Sequence, residues 1–413
     1  MLKVNEGRFK AAAAYAENDK WPELVKRANP IEARPDDVRS EFGRDYTRIL
    51  HCLGYRRLKH KTQVFFAPQN DHICTRMEHV SHVESVSFTI ADYLGMNTEL
   101  TRAIAIGHDL GHAPFGHLGE TILKDLTEKE TGETFWHERN GLHFVDDVEL
   151  LRNTYNKYTN LNLTYAVRDG IISHCGEVDI NGLKPRNEAI DLALFKSANQ
   201  YDPYSWEGCV VKLADKISYL GRDIEDAMLL NLIQASDLEG LLEHSKKAFN
   251  LDIRAINTTT LIHLFVIDLC KNSSFETGLR FSEEAYDLMK AILSYNRERI
   301  YRHPKLKHYS DYAKDILHKI YYLLSGAYNN LETRETLENM SGLYPGVMTL
   351  FIDWLDKYWD LCPPERRKNS YANRVIYNIS FGEREYKKAV IDYIAGMSDS
   401  FAIRTFNEII SFK

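Results

Sequence analysis

The chain is short of cysteine. Its 413 residues hold six (Cys52, Cys74, Cys175, Cys209, Cys270, Cys362), scattered and without a Cys-x-x-Cys pair. That excludes a thiolate zinc framework and a disulfide scaffold, and it reads as reduced thiols in a cytoplasmic protein. Glycine and proline are few, 22 and 11, and no low-complexity tract appears, which excludes a linker-dominated or collagen-like chain. Positive charge is not in excess. The formal net charge is -7, so no global basic field draws the protein to DNA or RNA. No apolar run approaches the roughly 20 residues that a membrane-spanning helix needs. The start, Met1-Leu-Lys-Val-Asn-Glu-Gly7, has no apolar stretch followed by a small-residue cleavage site, and no secretory leader is expected. Alternating β-branched runs are missing too; Val64-Phe65-Phe66 is too short to found a sheet.

What is present is helical periodicity, in a chain whose 44% hydrophobic content is ample for a large core. Segment 75–94 is the clearest case. Thr75 and Glu78 have the spacing of a capping box. Val80, Val83, Val86, Ile90, Ala91 and Leu94 then recur at helical intervals, and Gly95 with Asn97 ends the helix. A second helix is expected from 97 or 98 to about 110. Gly111-His-Ala-Pro114-Phe-Gly116 must be a loop, and His117-Leu-Gly-Glu120 opens the next helical stretch. The segments 139–152, 162–174, 206–235, 252–271, 282–298, 308–330 and 345–360 also read as helices. Segment 24–46, charged and broken by Pro30 and Pro35, reads as an extended arm, and 176–190 as a polar connector. An all-α fold follows.

Within that frame His79, His108-Asp109 and Asp215 stand out. Two imidazoles and two carboxylates can hold one divalent ion and leave positions open for water. Successive residues on a helix point about 100° apart, so His108 and Asp109 reach one ion only near a helix end, which Gly111 supplies. Asp215 sits in an apolar helix (Cys209, Val210, Val211, Leu213, Ala214, Ile217), where a buried carboxylate needs a partner. Each residue alone has an ordinary alternative, since most helical histidines are hydrogen-bonded or exposed. Mixed imidazole and carboxylate ligation suits Mn²⁺, Mg²⁺, Fe²⁺ or Ni²⁺ better than a closed zinc site.

Neighbouring text adds proton carriers and phosphate binders. His108, His112, His117 and Glu120 crowd one stretch, and Glu120, three residues after His117, can orient its imidazole. Arg76 shares a helix face with His79, beside the ion, where a phosphate oxygen would sit. Tyr219 and Asp223 follow Asp215 at helical spacing, with Lys216 next to it. Two basic stretches, Arg297 to His308 and Arg366-Arg367-Lys368 with Arg374, read first as solvated faces and second as sites for nucleotide phosphates or nucleic acid.

The motifs Phe42-Gly-Arg-Asp45-Tyr-Thr-Arg48, Tyr55-Arg-Arg-Leu-Lys-His-Lys61-Thr-Gln63, Thr75-Arg-Met-Glu-His79, His108-Asp-Leu-Gly-His-Ala-Pro-Phe-Gly-His117-Leu-Gly-Glu120 and Asp215-Lys-Ile-Ser-Tyr219-Leu-Gly-Arg-Asp223 together resemble the deoxyguanosine triphosphate triphosphohydrolase-like (dGTPase-like) family of HD-domain enzymes. So does the late Asp392-Tyr-Ile-Ala-Gly-Met-Ser-Asp399. The resemblance implies an all-α HD-domain core with an additional C-terminal helical region. With a boundary near 275, where the metal-ligand text ends, the chain is expected to divide into an arm over 1–39, a catalytic core over 40–275 and helices for oligomer contacts or nucleotide regulation over 276–413. The resemblance implies cleavage of a dNTP, dGTP or several, into deoxynucleoside and tripolyphosphate. His79, His108, Asp109 and Asp215 match the metal ligands, for Mn²⁺ or Mg²⁺ first, with Fe²⁺, Ni²⁺ or Zn²⁺ as alternatives. His117 with Glu120 resembles the catalytic pair, with His112 in the same loop. Arg76, Lys216, Tyr219 and Asp223 match positions that contact phosphates and sugar, and His137 resembles a histidine that faces the phosphates. The partners implied are dNTPs, as substrate and allosteric activator, and further copies of the chain in a tetramer or hexamer. The basic stretches add single-stranded nucleic acid. The rival readings are an HD phosphohydrolase acting on a monophosphate, cyclic dinucleotide or alarmone, and a nucleotide-sensing regulator that binds nucleic acid.

Overall fold

The computed structural model describes residues 7–31, 36–66, 70–174 and 180–411. Residues 32–35 of the arm, with Pro35, and Cys175 with the first part of the 176–190 connector lie outside them. Eighteen α-helices account for the fold among the described residues, with one two-stranded antiparallel hairpin. No described helix is long and apolar enough to cross a membrane. The five described cysteines are buried and free.

The chain divides into two compact units. The first comprises Met1–Ile49, Asn70–His108 and Leu163–Lys307. Its axis is the helix Trp206–Leu229, whose buried positions run around most of its circumference, Val210, Val211, Ala214, Ile217, Leu220 and Ile224 among them. A helix apolar on several faces must be surrounded. Helices Arg76–Leu94, Thr98–Gly107, Tyr165–Ser173 and Thr258–Asn272 pack on it. The Thr75–Glu78 capping box forms as its spacing predicts. Glu78 accepts from Thr75 N at 2.7 Å and Thr75 Oγ1 accepts from Glu78 N at 3.4 Å.

The second unit comprises Leu50–Gln69, Asp109–Asn162 and His308–Lys413. Its core gathers Phe115, Leu123, Phe144, Leu317, Tyr321, Phe351, Trp359 and Tyr386. Helix Glu383–Ala395 lies against Gly116–Thr131, and Pro345–Leu355 against Asp399–Ile410.

Two segments depart from the expected elements. Residues 139–152 are not one helix. The helix His137–His143 widens into a π turn over Phe144–Val148, and Leu150–Arg152 then pairs with Tyr158–Asn160. Tertiary bonds capture the backbone here: Tyr358 Oη donates to Val148 O at 2.5 Å, and Glu149 accepts from Gly54 N at 2.8 Å and from Arg57. Asn153 and the left-handed Asn156 then close the hairpin. The arm is not extended throughout either, for helix Glu41–His51 begins inside it. Its buried Asp45 accepts from Arg27 at 2.5 Å and from Thr164 N at 2.8 Å, and such a satisfied charge can stay inside.

Candidate active site

In the first unit three elements converge on one point. His79 lies four residues after the Thr75 cap, on the buried face of its helix. His108 ends the helix Thr98–Gly107. Its Nδ1 lies 2.6 Å from Ala105 O, which makes that nitrogen the donor and turns Nε2 toward the cluster. Asp215 comes from the central helix. Its Oδ1 is 2.9 Å from His79 Nε2 and 3.9 Å from His108 Nε2. The three ligand atoms lie within 4.8 Å of one another and could hold a metal ion. Burial disfavours a charge on Asp215, yet the hydrogen bond and charge of His79, with His108 and His174 behind, hold its carboxyl well below the usual range. Two imidazoles and an ionised carboxylate are the donor set of a hard or borderline divalent ion, so the residues fit one.

His174 was not singled out by sequence. It ends the helix Tyr165–Ser173 as His108 ends its own, its Nδ1 lies 2.7 Å from Ile171 O, and its ring stands edge-on to His108 at 4.9 Å. A histidine closing an apolar helix was the available signal.

Along the central helix, Lys216 is buried, Tyr219 is half-buried and Asp223 is 2% exposed. Arg76 is 1% exposed on the His79 helix. Burial pushes Asp223 up to about 7, opposed by the hydrogen bond that Tyr301 Oη donates at 2.5 Å. Tyr301 sits in the basic stretch read as a solvated face, so sequence reasoning missed it. Its signal was an aromatic residue embedded among the charges.

The second unit holds the other set. Asp109 follows His108 directly in the chain and its Oδ1 is 2.8 Å from His112 Nδ1. The His112 ring stacks on His137 at 3.8 Å. Glu120 is shared. Its Oε1 accepts from His137 N at 2.8 Å and lies 3.0 Å from His137 Nδ1, while Oε2 is 3.5 Å from His117 Nδ1. The spacing predicted the His117 pairing, and the closer partner is His137. Burial opposes charge on His137, but Glu138 and Glu120 outweigh it and raise its pKa to about 9. Burial likewise opposes charge on Glu120, and His137 and His117 hold it well below the carboxylate range. His117 itself is 71% exposed at its side chain. The loop can approach His137 only because residue 111 is glycine. A Cβ there would meet Gly141 N and His137 O at 2.1 Å, and Asn140 Nδ2 donates to Gly111 O at 2.7 Å. An imidazolium held between carboxylates beside an exposed imidazole is equipped to move protons.

Models of known families match the chain in two places. An HD domain model matches residues 76–220, which contain all four expected metal ligands, and a phosphohydrolase-associated domain model matches 370–408. Among its relatives the chain is similar to three described as deoxyguanosinetriphosphate triphosphohydrolase-like proteins. One from Caldanaerobacter subterraneus subsp. tengcongensis is 30% identical over 98% of this chain and 94% of its own length. One from Desulfatibacillum aliphaticivorans is 34% identical over 73% and 78%, and one from Clostridium tetani 32% over 79% and 86%.

Proposed function

Because this chain belongs to the HD-domain deoxyguanosinetriphosphate triphosphohydrolase-like family, and is thereby a hydrolase, we propose that it cleaves dNTPs to deoxynucleoside and tripolyphosphate. The observation that carries the reading is the His79–His108–Asp215 cluster, with both imidazoles buried and the carboxylate partly exposed. Asp109, next to His108, is the fourth ligand in this reading. A divalent ion held there, Mn²⁺ or Mg²⁺ first, would supply polarisation of the phosphoryl group and activation of water.

The chain's own groups do the rest. Arg76 and Lys216 neutralise phosphate charge that builds in the transition state, and His137, charged at neutral pH, faces the phosphates. Water adds at the α-phosphorus and the bond to the sugar 5′-oxygen breaks. His117 gives that oxygen its proton, Glu120 keeps the imidazole oriented, and His112 supports the same loop. Tyr219 packs on the sugar, and Asp223 accepts from its 3′-hydroxyl, which crowds out a ribose 2′-hydroxyl.

We extend the proposal to a homo-oligomer, tetramer or hexamer, with residues 276–413 supplying contacts, and to a dNTP activator. Single-stranded nucleic acid is the less favoured partner. Arg366 pairs with Asp353 and Asp356, Arg374 with Asp147, and Arg367 donates to backbone carbonyls. The arginines of that stretch are engaged by the fold.

The test is mass-resolved product analysis with Mn²⁺ and each of the four dNTPs, singly and mixed, with rNTPs as control. Deoxynucleoside with tripolyphosphate is expected. Orthophosphate or pyrophosphate as the product would overturn the reading in favour of another phosphoester, and turnover only in mixtures would establish the activator.

A further inference from the structure

The loop that delivers His117 has an unusual backbone. Phe115 has φ 66° and Gly116 φ 63°. Glycine takes the left-handed region freely, but a bulky aromatic residue there is an outlier that the surrounding structure must hold. Phe115 cannot escape through its side chain, which is 2% exposed and packs edge-on against Phe66 and Tyr309. The helix begins immediately after it, at Gly116, with no side-chain cap. His117 is therefore aimed by backbone geometry, with the Glu120 carboxylate 3.5 Å from its Nδ1 as a side-chain partner. Its side chain is mostly exposed, so packing does not aim it.

What holds that backbone comes from the far end of the chain. Asp399 opens the helix Asp399–Ile410 and is 2% exposed. Its Oδ1 accepts from Phe115 N at 2.8 Å and its Oδ2 accepts from Thr62 N at 2.9 Å. Both carboxylate oxygens are thus occupied by main-chain N–H groups of two separate segments. The other end of the same loop is tied nearby, since Lys61 Nζ donates to His112 O and, at 3.2 Å, to Ala395 O. Loop residues 112 to 115 are pinned at both ends to the segment 395–399, part of the Asp392–Asp399 motif to which the proposed reaction assigns no work.

We propose that Asp399 is a positioning residue for His117: it clamps Phe115 N in the left-handed conformation that points the acid at its substrate. The inference rests on the reading of His117 as the acid. Asparagine at 399 keeps the shape but has one acceptor oxygen, and its NH2 would face an N–H.

The test uses full-length protein with Mn²⁺ and mixed dNTPs, comparing wild type, His117→Ala, Asp399→Asn and the double variant. Asp399→Asn is expected to lower kcat about 10- to 100-fold, with KM little changed and metal content equal to wild type. In the His117→Ala background the same substitution should lower kcat less than about 3-fold, because groups acting as one unit are not additive. Hydrogen exchange should quicken in peptides covering 112–117 and stay unchanged in helix Arg76–Leu94. Additive losses, wild-type turnover in Asp399→Asn, or unchanged exchange at 112–117 would each overturn the positioning role. Wild-type turnover in His117→Ala would instead strike down the acid reading, and this inference with it. If Asp399→Asn does not fold, Asp399→Glu, which keeps the charge and shifts the acceptors by a methylene, is read by the same three measurements.

Discussion

The two units hold histidines of opposite character. In the first, His108 and His174 each set one ring nitrogen against a backbone carbonyl, and His79 and His108 turn Nε2 toward a single carboxylate. Their geometry is that of a ligand cluster, with ring nitrogens gathered around one carboxylate oxygen. In the second, His137 lies between Glu120 and Glu138 and holds its proton up to about pH 9, while His117 projects into solvent. In the proposed reading one residue type serves as ligand in one place and proton carrier in the other, and the difference lies in what faces each ring nitrogen.

The sharpest way to break this comparison is Asp215→Ala. It should remove the metal and lower turnover by about 10³-fold or more, as loss of several kcal/mol of transition-state stabilisation requires. Elemental analysis of the purified variant checks it, and an active variant with full metal content would sink the ligand assignment. Next is His117→Ala. Turnover should fall about 10²- to 10⁴-fold with the metal retained, since the lesion lies in the proton-carrying set; loss of metal in this variant would erase the distinction between the sets.

A smaller effect is expected from Asp223→Asn in chelator-treated protein. Asp223 is raised from 3.8 to about 7, so its contribution to stability is present below about pH 4 and lost as pH rises through about 7. Asparagine mimics the protonated form. The variant should therefore unfold roughly 2–8 °C above wild type at pH 8.5 and level with it near pH 4, while catalysis suffers. Scanning calorimetry across pH decides it, and a gap that does not widen with pH counts against the shift. The smallest effect is that of His137→Gln. His137 is raised from 6.5 to about 9, so its stabilisation is fully present below about pH 6.5 and lost as pH rises through about 9. Wild type should unfold roughly 1–4 °C above the variant at pH 6 and level with it at pH 10. A gap independent of pH would mean that His137 packs without carrying charge.

Much of the fold was legible because it is written locally. The capping box at Thr75, the apolar stripe after it and the breakers at 111–116 each act over a few residues, and each appears where its spacing places it. Local signals also put His79 on the buried face and His108 at a helix end. They failed where distant partners decide. The stretch 139–152 has helical residues, but Tyr358 and Arg57 claim its backbone and its Glu149. Glu120 sits at the right spacing for His117, yet a residue 17 positions on takes its nearer oxygen. Tyr301, 78 positions after Asp223, was hidden among basic residues.

The sequence by itself determined the helical class, the caps, the loop of histidines and the residue types that can hold an ion, because helix periodicity and turn chemistry are short-range. Only the tertiary structure decided which backbone carbonyl or carboxylate each imidazole meets and that Asp399 reaches Phe115 from 284 positions away. Protonation and aim depend on burial and on partners within a few ångströms in space, and such neighbours are seldom neighbours in the chain.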